Sequence, residues 1–84
     1  MEVVLQGKRY SITRESVERV RDEPPGTAQR YVVRLGNVDY PLKQAASAGL
    51  AVPPVAFTSQ QAYRWLAKLG FEVVDLKDRV AGPR

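Results

Sequence analysis

The chain contains no cysteine and no histidine among its 84 residues. Those two residue types supply thiol nucleophiles, disulfides and most zinc ligands, so disulfide staples, zinc fingers and thiol chemistry are excluded. Histidine is also the most frequent general base of enzymes. The carboxylates lie among arginines and lysines, a pattern typical of solvated surface pairs. The sequence therefore predicts a protein that is not an enzyme and has no metal and no other cofactor.

Long hydrophobic runs are missing as well. No apolar segment approaches the roughly 20 residues that a membrane-spanning helix needs. The first ten residues, MEVVLQGKRY, lack the basic start and apolar stretch of a signal peptide. Because cysteine is absent too, we expect a cytoplasmic protein with no membrane partner.

The hydrophobic pattern predicts a small α+β domain over residues 1–76, with residues 77–84 as a flexible tail. The predicted core arrangement is a β-hairpin and a C-terminal strand packed on two to three helices. A winged-helix-like arrangement is the alternative. The predicted elements are a first hairpin (3–5 and 9–12), a helix (14–22), two strands around Gly36-Asn37 (29–35 and 38–40), a helix after Pro41, a helix after Thr58 and a strand (71–76).

The last predicted helix has the strongest signals. Thr58 with Gln61 three residues later matches a capping box. Apolar residues recur at helical spacing after it. Gly70 suits the left-handed position that ends a helix, and Phe71 is placed to close over Leu66.

The net charge of +4 is concentrated in the middle of the chain. Residues 25–70 contain five basic side chains against one acidic, whereas the segments before and after this block each balance to zero. A basic surface favours an anionic partner, and DNA is the partner that we expect.

Two candidate binding surfaces lie within the basic block. Gln60, Gln61, Arg64 and Lys68 fall on the outer face of the last helix, and Arg and Gln side chains read guanine and adenine edges. Arg30 and Arg34 share one strand face, with Lys43 just beyond the hairpin, where they would contact a nucleic-acid backbone. The predicted nucleic-acid-binding residues are Arg30, Arg34, Lys43, Gln60, Arg64 and Lys68.

Short motifs spread over residues 12–74 resemble a known family. They are Ile12-Thr13-Arg14-Glu15-x-Val17, Arg30-Tyr31-x-Val33, Gly36, Tyr40-Pro41-x-Lys43, Phe57-Thr58-Ser59 and Leu66-x-x-Leu69-Gly70-Phe71-x-Val73. In this order they are similar to the N-terminal head domain of McrA-type HNH restriction endonucleases of actinobacteria.

The resemblance implies a stand-alone accessory module associated with DNA and with restriction or defence, without nuclease activity. It singles out Tyr40 and Lys43 as family-motif residues. The sequence departs from the family where Gln60-Gln61 replaces a common Gly-Gly pair and where a longer insert is reduced to residues 24–28.

A different class of function is also compatible with the sequence. The apolar loop over residues 50–57 and the strand edge over residues 3–5 are features of a protein-interaction subunit or a homodimeric adaptor. Such a protein would have a protein partner and no affinity for nucleic acid.

Overall fold

The structure, a computed structural model, describes residues 1–27 and 30–76. The α+β arrangement predicted from the sequence is confirmed. The five strands in these ranges form an antiparallel hairpin, β1-β2, and an antiparallel sheet in the order β4-β3-β5. The elements are β1 (Glu2–Leu5), β2 (Lys8–Ser11), α1 (Arg14–Glu18), β3 (Tyr31–Leu35), β4 (Val38–Pro41), α2 (Leu42–Leu50), α3 (Ser59–Lys68) and β5 (Glu72–Asp75).

The first predicted hairpin is present. Gln6 and Gly7 both have positive φ angles, +52° and +80°, as a type I′ turn requires. Val3 and Leu5 are buried in the main core, whereas Val4 points outward. An isolated hairpin is marginal in water, so the contacts of its inner face with the core stabilise this one.

The first helix is shorter than predicted. Thr13 caps α1, and Ser16 completes the capping box. The α-helix ends at Glu18 and continues as a 3₁₀ turn, Arg19–Asp22. Glu23 is extended and precedes Pro24 and Pro25, and a helix that ends before proline commonly tightens in this way. Val17 and Val20 are fully buried.

One face of the larger sheet points toward the core, and Val32 on the opposite face of β3 is also buried. Val33 lies opposite Tyr40 of β4 and Val73 of β5, and these three side chains belong to the core or pack against it. The turn between β3 and β4 has φ +64° at Gly36, whereas Asn37 keeps a negative φ. This is the φ pattern of a type II′ turn, in which glycine takes the first central position.

Helix α2 presents small residues to the core. Ala45, Ala46 and Gly49 are buried on one face of the helix. Helix α1 packs closely against this face. A methyl group in place of the Gly49 hydrogen would lie 2.8 Å from Cγ2 of Val17, so this position is closed to larger residues.

The end of α2 is strained at one residue. Ala51 has φ +59° and ψ +41°, the left-handed conformation, and its N–H donates to the carbonyl of Ser47 at 2.8 Å. Glycine is the usual residue at this place, because a Cβ atom is disfavoured there.

We expect Ala51→Gly to raise the free energy of unfolding by about 0.5 to 1 kcal/mol, because relief of left-handed strain outweighs the added flexibility of the unfolded chain. Urea unfolding followed by the fluorescence of Trp65 measures the change. Ala67→Gly is the control, because Ala67 lies inside α3, where glycine should cost about 1 kcal/mol. Equal destabilisation by both changes would contradict the left-handed assignment.

Helix α3 begins and ends as predicted. Thr58 and Gln61 form the capping box. Gly70 has φ +90°, and the N–H groups of Gly70 and Phe71 donate to Ala67 and Leu66 at 3.0 and 3.1 Å. These two bonds define a Schellman motif.

One hydrophobic cluster joins the hairpin, the helices and the inner face of the sheet. No helix within the described residues is long and apolar enough to cross a membrane. The flexible tail predicted over residues 77–84 lies outside the described residues.

Candidate nucleic-acid interface

Two adjoining clefts lie beside helix α3. The linker cleft, about 880 Å³, is bordered by the segment that precedes β3 and by the first turns of α2 and α3. The tyrosine cleft, about 490 Å³, lies between Tyr31 and the outer side of α3. Tyr31 and Gln60 border both clefts, so the two form one continuous surface.

Five of the six predicted binding residues border these clefts. Arg30 and Lys43 border the linker cleft, Arg64 and Lys68 border the tyrosine cleft, and Gln60 borders both. Residues four apart on a helix share a face, which aligns Gln60, Arg64 and Lys68 along α3. The structure thus brings together residues that are up to 38 positions apart in the sequence.

The wall of the linker cleft is held by Gln44. Its side-chain amide accepts from the N–H of Gly26 at 2.8 Å and donates to the carbonyl of Pro24 at 3.1 Å. It also donates to the carboxylate of Glu23 at 3.1 Å. These three bonds fix residues 23–26 against α2 and define the shape of this side of the cleft.

Tyr31 and Tyr63 meet in the tyrosine cleft. Their ring centroids are 5.4 Å apart, and the planes make an angle of 77°, an edge-to-face contact. The guanidinium of Arg30 lies over the Tyr31 ring at 5.0 Å. Tyr63 is 43% exposed, so its ring is the more open of the two.

The charge on this surface is largely uncompensated. Lys43, Arg64 and Lys68 form no salt bridge within residues 1–27 and 30–76. Arg30 is paired with Asp75 at 3.3 Å. Glu23 is the acidic member of the linker cleft. The tyrosine cleft has two cationic side chains and no acidic one among its described residues, which makes it the more attractive place for an anion.

Arg34 lies apart from the other five. The strand register places it between Asp39 of β4 and Glu72 of β5, at 3.2 and 3.9 Å from their carboxylates. The hydrogen bond and the charge of Asp39, followed by the charge of Glu72, raise the pKa of its guanidinium. Arg34 borders neither cleft, so the predicted grouping with Arg30 and Lys43 is not seen.

Several side chains proposed for recognition have structural partners. Tyr40 is 3% exposed, and its hydroxyl donates to the carbonyl of Glu23 at 3.0 Å, which ties β4 to the linker. Gln61 accepts from the N–H of Thr58 at 2.9 Å. The ammonium of Lys43 lies 5.7 Å from the centre of the Phe57 ring, a cation–π contact.

Sequence reasoning missed the two tyrosines as site residues. Tyr31 lies on the inward-facing side of its strand, where an aromatic residue is normally part of the core. Tyr63 is flanked by the polar Gln60 and the cationic Arg64, but its partner is 32 residues earlier in the chain. Contacts of that separation follow from the packing of α3 against the sheet, which no local pattern specifies.

The apolar segments proposed for a protein partner are partly buried and partly exposed. Leu50 and Phe57 belong to the core, as do Val3 and Leu5. Val55 is 88% exposed and Val4 61% exposed. Ala51, Pro53 and Pro54 are exposed beside Val55, so the loop over residues 50–57 has a contiguous outward-facing part, whereas the strand edge over residues 3–5 exposes Val4 alone.

Within residues 1–27 and 30–76, the acidic side chains do not gather into a group of three that would suit a metal ion. Comparison of the chain with protein-family models, with curated proteins and with solved structures found no match. The chemistry of the two clefts is therefore the basis on which a function is inferred.

Proposed function

We propose that this protein is a small, non-enzymatic, DNA-associated nucleic-acid-binding module that uses the surface formed by the two clefts. One observation carries the proposal. Arg30, Lys43, Gln60, Arg64 and Lys68 border one continuous surface, and three of its four cations have no salt-bridge partner within the described part of the chain.

Cations without carboxylate partners suit a polyanion. Binding of phosphates to Lys and Arg releases condensed counterions from the nucleic acid, which is the main source of non-specific affinity. Lys68 and Arg64 lie along one side of α3, where they are spaced to contact neighbouring phosphates. Gln60, exposed in the first turn of the same helix, has both a donor and an acceptor for a base or a phosphate.

The sequence resemblance to the head domain of McrA-type endonucleases favours an accessory role beside a restriction or defence enzyme. This role rests on analogy and on no contact within the molecule. A pull-down with the products of neighbouring genes tests it, and recovery of a nuclease or methyltransferase is the expected result.

The double change Arg64→Ala and Lys68→Ala tests the binding surface. We expect the affinity for a fluorescein-labelled DNA to fall at least about tenfold in low salt, because two phosphate contacts are lost. We also expect the slope of log K against log salt concentration to become shallower by about 2. Fluorescence anisotropy across a salt series measures both quantities.

A matched control removes one lysine and one arginine from another part of the surface. Lys8 and Arg9 are exposed on β2 and border neither cleft, so Lys8→Ala with Arg9→Ala should leave affinity and slope nearly unchanged. Equal losses in both double variants would mean that net charge alone attracts the DNA. A stable dimer in light scattering with no DNA binding by the unchanged protein would refute the proposal and favour the protein-interaction alternative.

A further inference from the structure

We propose that the tyrosine cleft holds an unpaired nucleobase stacked on the ring of Tyr63, so that the preferred ligand is single-stranded nucleic acid. This inference rests on the proposed function and specifies its ligand. It follows from the rings, the space beside them and the charges around them.

Tyr63 has the ring that is open to a ligand. In an edge-to-face pair at 77°, each ring keeps at least one face that the other does not cover. A face of Tyr31 is occupied by the guanidinium of Arg30, 5.0 Å from its centroid. Tyr63 has no such cation over it among the described residues and is 43% exposed.

The space beside this ring is created by a small residue. Ala67 follows Tyr63 by one helical turn, so the two lie one above the other on the same face. A long side chain at position 67 would cover the ring, whereas the methyl group of Ala67 leaves the cleft open. The cleft is about 490 Å³, which is within the usual size of small-ligand sites, about 300–1,000 Å³.

The residues around the ring suit the rest of a nucleotide. Arg64 and Lys68 border the same cleft, where they meet the phosphates on either side of a stacked base. Gln60 provides an amide that can bond to base edges. An aromatic ring beside cations that follow a phosphate backbone is the arrangement by which proteins bind single strands with little sequence preference.

A duplex cannot use this site in the same way. Its bases already stack on their neighbours, so a ring face is offered only by unpaired bases in single strands, loops or ends. The cations alone would still attract duplex phosphates. The inference therefore predicts a difference between single-stranded and duplex ligands that the charges do not produce.

Tyr63→Leu tests the stacking contact. We expect its affinity for a labelled oligothymidine of about 12 nucleotides to fall about tenfold, because stacking of one base on an aromatic ring is lost. Its affinity for a blunt duplex of the same label should change less than about twofold, since the phosphate contacts remain. Tyr63→Phe keeps a ring and should bind the oligothymidine like the unchanged protein. Fluorescence anisotropy at one low salt concentration measures these affinities for the unchanged protein and for both variants.

A second variant tests the stacking site without removing the contact between Tyr31 and Tyr63. Ala67→Leu adds a side chain on the exposed face of α3 and fills the cleft, so single-strand affinity should fall while duplex affinity stays. Ala67→Ser leaves the cleft open and is its control. Unfolding midpoints confirm that each variant is folded.

The possible results separate the inference from the proposed function. Unchanged single-strand affinity in Tyr63→Leu and Ala67→Leu, with a loss in the Arg64→Ala and Lys68→Ala double variant, would overturn the stacking site and leave the basic surface standing. Equal affinity of the unchanged protein for both ligands would also overturn it. Binding of neither ligand would overturn both proposals.

Discussion

Leu66→Ala is expected to lower the free energy of unfolding by about 3 kcal/mol, because a fully buried leucine loses its transfer free energy and leaves a cavity. Leu66 is 0% exposed and is among the largest fully buried side chains. It belongs to the hydrophobic cluster that joins the helices to the sheet. A domain of this size has a total stability of about 4–13 kcal/mol, so the change removes a large part of it.

Urea unfolding measures this loss. Trp65 is buried and reports the transition by fluorescence, and circular dichroism of the helices provides a second probe. Leu69→Ala is the matched control, because Leu69 is only partly buried against the same cluster and should cost about 1 kcal/mol. A loss at Leu66 no greater than at Leu69 would contradict the packing of α3 described here.

The position of Leu66 also determines the binding surface. Ala62, Trp65 and Leu66 are the buried residues of α3, and this apolar stripe fixes the rotation of the helix about its axis. This rotation turns Gln60, Arg64 and Lys68 away from the core, and all three are exposed. At urea concentrations well below its unfolding midpoint, the Leu66→Ala variant should therefore bind DNA with nearly unchanged affinity.

Features that depend on neighbouring residues in the chain are predictable from this sequence. The capping box of Thr58 and Gln61, the left-handed Gly70 and the apolar stripe between them are all present. Each is a local arrangement in which backbone N–H and C=O groups need partners within a few residues. The same holds for Gly36, because a two-residue hairpin turn requires a positive φ.

Features that depend on tertiary packing are not predictable in the same way. The first hairpin is stable because Val3 and Leu5 reach the core, and no local pattern provides that contact. The φ of +59° at Ala51 contradicts local preference, since the packing of α2 and of the following loop outweighs it.

The candidate site shows the same division. The outer face of α3 follows from helical periodicity, so the alignment of Gln60, Arg64 and Lys68 was predictable. The separation of Arg34 was not, because its two partners lie on two different neighbouring strands, one of them 38 residues later. The side chain of a strand residue can pair with carboxylates on both sides only once the strand order is known.

The close approach of α1 and α2 makes stability sensitive to a larger side chain at position 49. We expect Gly49→Val to lower the free energy of unfolding by about 3 kcal/mol, at the upper end of the cost of overfilling a core. A Cβ atom at this position would lie 2.8 Å from Val17 and 3.1 Å from Ile12. Both neighbours are fully buried, and β-branched side chains have few alternative rotamers, so neither can move aside.

The neighbouring position provides the control for this variant. Ala48→Val introduces the same side chain into the same helix at a half-buried residue, where the lower helix propensity of valine should cost about 0.5 kcal/mol. Val17→Ala combined with Gly49→Val should recover part of the loss, because the deleted methyl groups make room for the inserted ones. Urea midpoints of the unchanged protein, Val17→Ala, Gly49→Val and the double variant measure this coupling. Strictly additive effects of the two changes would mean that Gly49 does not contact α1, and that the helices are held together elsewhere.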